Sequence, residues 1–87
     1  MTKYLVESPH TAEECLEALD ETLALGSDIL DQYYFGCRVD VHVGWAIVDA
    51  ESEAEALGNV PVSLRDKARA VKVEKFTPEQ IQKEHEG

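Results

Sequence analysis

Apolar residues crowd into one run of the chain, Val41–Val48 (VHVGWAIV), with charged residues bracketing it at Asp40 and Asp49. Strict alternation of apolar and polar positions would mark a strand wet on one side, whereas a near-continuous apolar run predicts a strand covered on both faces. In so short a chain helices can cover one face, and a second copy is expected on the other. Shorter patterns flank this run. Lys3–Glu7 reads as a first strand that Ser8-Pro9 ends. Thr11 with Glu14 forms a T-x-x-E capping box. It opens a helix over Ala12–Leu25 whose apolar side is Ala12, Cys15/Leu16, Leu19 and Leu23, and Gly26 stops it.

Ser27–Gln32 is a connection with one helical turn, where Ile29 and Leu30 plug the core. Gln32–Arg38 (QYYFGCR) is a second strand, joined to the central run as a hairpin through a link near Val39–Asp40. An even loop sets Cys37 opposite His42, and an odd one sets Gly36 opposite Gly44. Ser52 with Glu55 caps a short helix through Leu57, Gly58-Asn59 breaks it, and Pro61 starts a further turn. Ala68–Phe76 is a fourth strand. Thr77-Pro78-Glu79-Gln80 begins a tail helix that Ile81 can dock.

The order strand, helix, strand, strand, helix, strand predicts an α+β ferredoxin-like β-α-β-β-α-β domain over residues 1–76, with sheet order 4-1-3-2, and a helical tail over 77–87. The apolar run becomes a central strand, in agreement with its burial. An 87-residue chain buries only about 60–65% of its unfolded surface, so it needs a disulfide framework, a metal or a partner.

Charge and cysteine content narrow the function. The net charge is −10, which disfavours a phosphate backbone as partner, so no nucleic acid is expected. Residues 1–64 hold two cations and thirteen carboxylates, and the remainder six cations and five carboxylates. Arg65, Lys67, Arg69 and Lys72 are therefore read as partners of nearby acids. No run approaches the roughly 18 apolar residues of a membrane span. The N-terminus meets a charge and a proline too early for a signal core. Two cysteines are too few for a disulfide scaffold. A cytoplasmic protein with reduced thiols is expected.

The segments KYLVESPHT, GCRVDVHVGWAIV and RDKARAVKVEKFTPEQI together resemble a family of small bacterial proteins of uncharacterised function. In layout the chain is similar to the dimeric α/β-barrel superfamily, with its YCII-related, muconolactone isomerase-like and small antibiotic-synthesis monooxygenase members. The resemblance implies two sheets packed face to face in a homodimer. It sets no reaction, since members range from enzymes to proteins without known activity. YCII-related proteins carry a His/Asp pair near their pocket, which Asp40 and His42 match loosely. The surrounding residues differ, so no catalytic role transfers.

Tracing the chain through this fold brings His10, Cys15, Cys37 and His42 to one end of the sheet. Two imidazoles and two thiolates suit a tetrahedral transition metal such as zinc or nickel. The cluster also admits an ordinary reading, with buried thiols as small hydrophobes and His42 as a core histidine. A Cys15–Cys37 disulfide is conceivable, but a reducing compartment opposes it. Cys15 joins His42 only if His42 faces the helices. The alternative is an enzyme, an isomerase or monooxygenase. There Asp40 orients His42 as general base in a pocket lined by Tyr33, Tyr34, Phe35 and Trp45, with Gly36 and Gly44 leaving room for a small substrate. The favoured function is binding of a small molecule or metal at this edge by a homodimer.

Overall fold

A computed structural model describes residues 2–86 as a small α+β protein. Four strands, β1 (Thr2–Pro9), β2 (Tyr33–Phe35), β3 (Val43–Ala50) and β4 (Arg69–Val73), form one sheet in the order β2-β3-β1-β4. All neighbours are antiparallel, and the order is 4-1-3-2 read from the other edge. The helices are α1 (Cys15–Leu25), α2 (Ser27–Leu30), α3 (Glu53–Leu57) and α4 (Pro78–Glu86), with 3-10 turns at Cys37–Val39 and Val62–Leu64. No helix among the described residues is long and apolar enough to cross a membrane.

The expected boundaries move for physical reasons. β1 continues through Pro9 instead of stopping at Glu7. His10 N donates to His42 O (3.0 Å), one register step beyond the Pro9–Val43 pair. Antiparallel pairs alternate in bonding, so Pro9 has no donor to supply towards β3, and on its other side the ladder with β4 ends at Glu7. β2 is three residues long, not seven. After Phe35 the carbonyl of Gly36 accepts from both Val39 N and Val41 N, and Asp40 sits at φ 66°. That turn absorbs Val41 and His42, so β3 starts at Val43 and extends to Ala50 opposite Thr2. β4 ends at Val73 rather than Phe76, with Val73 opposite Lys3 near the start of β1.

The core lies between one sheet face and helices α1 and α3. It contains Val6, Tyr33, Ala46, Val48, Ala50 and Ala70 from the strands, with Ala18, Ala56, Val60 and Leu64 above them. The expected apolar side of α1 is rotated. Ala18 and Thr22 are buried, whereas Leu16 is 71% and Leu23 52% exposed. Thr22 satisfies its hydroxyl by donating to Ala18 O (2.8 Å).

Within a single chain β3 is covered on one face. Gly44, Ala46, Val48 and Ala50 are buried, while Trp45 is half-buried and Ile47 is 59% exposed. Leu5, Tyr34, Trp45, Ile47, Val71 and Val73 share the second face by register. No element among the described residues covers it fully. The charges on that face pair with one another, Lys3 with Asp49 at 2.8 Å and Glu7 with Arg69 at 3.5 Å. Arg65 is also used locally, its Nε donating to Val60 O (2.8 Å).

All three boxes close, but only two open their helices: the Thr11–Glu14 box spans a turn, and α1 starts at Cys15 instead of Ala12, with Glu14 as an N-cap that makes no side-chain cap bond. Thr11 and Glu14 exchange bonds of 3.0 and 3.2 Å, and Ser52 Oγ accepts from Glu55 N. Thr77 and Gln80 close a reciprocal cap at 2.7 and 3.2 Å. The tail helix that follows has no buried residue, and Ile81 is 49% exposed instead of docked.

Candidate metal centre

Strand register assembles the cluster. His10 and His42 stand opposite each other in the continuation of the β1–β3 ladder. The β2–β3 ladder ends at Phe35–Gly44, the register of the even hairpin, and the 3-10 turn that follows sets Cys37 against His10. His10 and His42 share the parity of the buried, helix-facing residues Val6 and Ala46. The turn closed by Thr11 and Glu14 leads into α1 at Cys15, whose potential ligand atom joins the same cluster.

One potential ligand atom from each of His10, Cys15, Cys37 and His42 lies within 4.8 Å of the others. Metal–sulfur and metal–nitrogen bonds of about 2.3 and 2.0 Å set tetrahedral ligand separations of about 3.3–3.8 Å, so closure needs shifts of about 1 Å. His10 is buried, and the other three are half-buried. His10 Nε2 touches Cys37 Sγ at 3.3 Å. The two imidazoles meet edge-on, with centroids 5.6 Å apart and planes at 64°.

His42 is held in a way that suits a ligand. Its Nε2 contacts Asp40 Oδ1 at 3.2 Å, while its Nδ1 is buried without a hydrogen-bond partner. Metal-ligating histidines commonly give their second nitrogen to a carboxylate, which fixes tautomer and ring orientation. The Asp40 side chain is 96% exposed, so solvent screens this pair and its contribution is orientation more than energy.

Burial disfavours the charged forms of His10 and Cys37. Burial and the neighbouring His42 lower the His10 pKa, opposed by Glu14. Burial pushes the Cys37 thiol up to about 11, helped by the hydrogen bond and charge of the Cys15 thiol. A bound divalent ion would reverse this balance by deprotonating the thiols.

Ser8 was not singled out by sequence reasoning. Its Oγ is buried and, with His42 Nδ1, unpartnered among the described residues. It lies one inward step before His10 on β1. The S-x-H spacing on a strand whose even positions face the core was the available signal.

The proposed aromatic pocket is divided between two faces. Tyr34 and Trp45 line a hollow of about 410 Å³ on the open face, together with Leu5, Asp31, Gln32 and Ile47. Phe35 and Tyr33 are on the helix side, stacked at 5.5 Å. The glycines leave no substrate space. A Cβ on Gly44 would meet the Phe35 and Tyr33 rings at 2.8–3.2 Å, and one on Gly36 would meet Val41 O at 2.7 Å and the Trp45 ring at 3.2 Å. The unpartnered nitrogen of His42 thus shares its side with the thiols, not with Tyr34 and Trp45. No family model, curated protein or solved structure matches this chain.

Proposed function

We propose that this protein is a small cytoplasmic homodimer, ferredoxin-like in topology, that binds one tetrahedral transition-metal ion per chain through His10, Cys15, Cys37 and His42. The carrying observation is four potential ligand atoms within 4.8 Å of one another, with His42 Nδ1 buried and unpartnered. Zinc fits a set of two sulfurs and two nitrogens best, while nickel(II) favours a square plane. With four protein ligands the centre is of the closed, structural kind, and it would join β1, α1 and the turn before β3. Such a link supplies what a chain of this size lacks.

The dimer reading is supported by the open sheet face. It exposes Tyr34, Ile47 and Val71, and its ion pairs cancel although the chain carries −10. A second copy would therefore meet a neutral apolar surface. Strands of eight, three, eight and five residues, at about 3.3 Å rise and about 4.8 Å spacing, give on the order of 400 Å² in flat projection. Side-chain relief raises this towards the roughly 800 Å² per partner of a stable interface.

The alternative, general-base turnover by His42 with Asp40, retains the 3.2 Å contact. It leaves the working nitrogen facing two thiols, so binding is the stronger reading. The test is calorimetric titration of zinc into the reduced protein. One ion per chain is expected, with affinity reduced at least about 100-fold in the His10→Ala/His42→Ala double variant while circular dichroism stays native. Equal affinity in the variant contradicts the proposal.

A further inference from the structure

Resting on the metal-centre reading, we propose that Cys15 and Cys37 also form a thiol–disulfide pair, whose oxidation by a hydroperoxide expels the ion and replaces it as the link between α1 and the turn after β2. The chain has two cysteines, and both are free and half-buried at this one site. Their sulfurs lie within 4.8 Å of each other. A disulfide needs them at about 2.05 Å, so the two must close by at most about 2.8 Å. Cys15 opens α1 and Cys37 opens the 3-10 turn, so an ion and a disulfide would fasten the same two elements. The two states exclude each other, because a disulfide sulfur no longer offers the thiolate charge that holds a metal.

The step balances with hydrogen peroxide as the oxidant. Two metal-bound thiolates, one peroxide and two protons give one disulfide, two waters and the free divalent cation. The S–S bond forms, the O–O bond breaks, and two electrons pass from sulfur to oxygen. His10 and His42 remain, but two imidazoles without thiolates hold zinc weakly. The centre would then release its ion in response to peroxide without loss of the fold.

The experiment uses the full chain loaded with zinc, titrated with hydrogen peroxide beside a chromogenic zinc indicator, with intact-mass and peptide mapping at each step. The expected result is one zinc released per chain, in step with a loss of two hydrogens from the reduced apo mass and an intrachain Cys15–Cys37 peptide. Circular dichroism is retained, and dithiothreitol restores zinc uptake. Sulfinate at one cysteine, a disulfide between chains, or disulfide formation with the zinc retained overturns the inference and leaves the metal reading intact. A reduced chain that takes up neither zinc nor cobalt before peroxide is added overturns both.

Discussion

The two faces of the sheet are built from different residues. The helix-covered face is made largely of small side chains, Ala46, Ala50 and Ala70 beneath Ala18 and Ala56, with Val6 and Val60 the largest fully buried. The open face holds the bulk: Trp45 and Leu5 half-buried, Ile47 59% and Tyr34 80% exposed. A chain that spends its small residues inside and leaves its large ones outside forms only a thin core, since apolar stabilisation scales with buried area. The difference assigns the faces separate tasks. The helix-covered face ends in the His10, Cys15, Cys37 and His42 cluster, and the larger apolar residues of the other face are available to a second copy.

The largest effect is expected from a charge placed on the open face. Ile47→Asp should weaken the dimer by at least about 100-fold, because an unpaired carboxylate would be desolvated at the interface. Sedimentation velocity checks this, and zinc stoichiometry should remain one per chain. A dimer of unchanged strength would remove the assigned role of that face.

A smaller effect should come from acid acting on the helix-covered face. Burial lowers the His10 pKa, so the folded state favours neutral imidazole and the unfolded chain binds the proton first. Stability of the metal-free protein should therefore fall as pH drops through about 6.5, the ordinary histidine value, and level off below the folded-state value. Urea denaturation between pH 8 and 5 in a chelator reads this slope, and His10→Gln should flatten it. An unchanged slope in that variant would place the titration elsewhere.

The smallest effect is expected at the Lys3–Asp49 pair, whose side chains are 58% and 50% exposed. Lys3→Ala should cost the folded monomer less than about 1 kcal/mol, since solvent screens such pairs. Thermal unfolding of the Ile47→Asp monomer measures it free of dimer effects. A much larger loss would mean the pair is shielded in ways its exposure does not show.

These faces were legible in the sequence to different degrees. The sheet order followed from element order, and the Ser52/Glu55 and Thr77/Gln80 boxes marked helix starts because both partners of each bond are local. The four cluster residues were found because strand direction alone brings their ends together. Facing was not legible for His42, since a one-residue change in hairpin register reverses every side chain. The turn at Gly36–Asp40 decided it, and its left-handed Asp40 lacks the glycine that commonly announces such a turn. The rotation of α1 was missed for a related reason. Leu16 and Leu23 outweigh Ala18 and Thr22 in any hydrophobic pattern, yet the small pair is the one buried. Phe35 was grouped with Tyr34 by sequence adjacency, although neighbours on a strand face opposite ways.

Native mass spectrometry of untagged protein, purified gently under reducing conditions, tests the metal centre and the second copy together. The account predicts a dimer carrying two zinc ions, and two ions lost as a unit of function in the His10→Ala/His42→Ala variant while the dimer persists. A bare monomer that takes up no added zinc would contradict it.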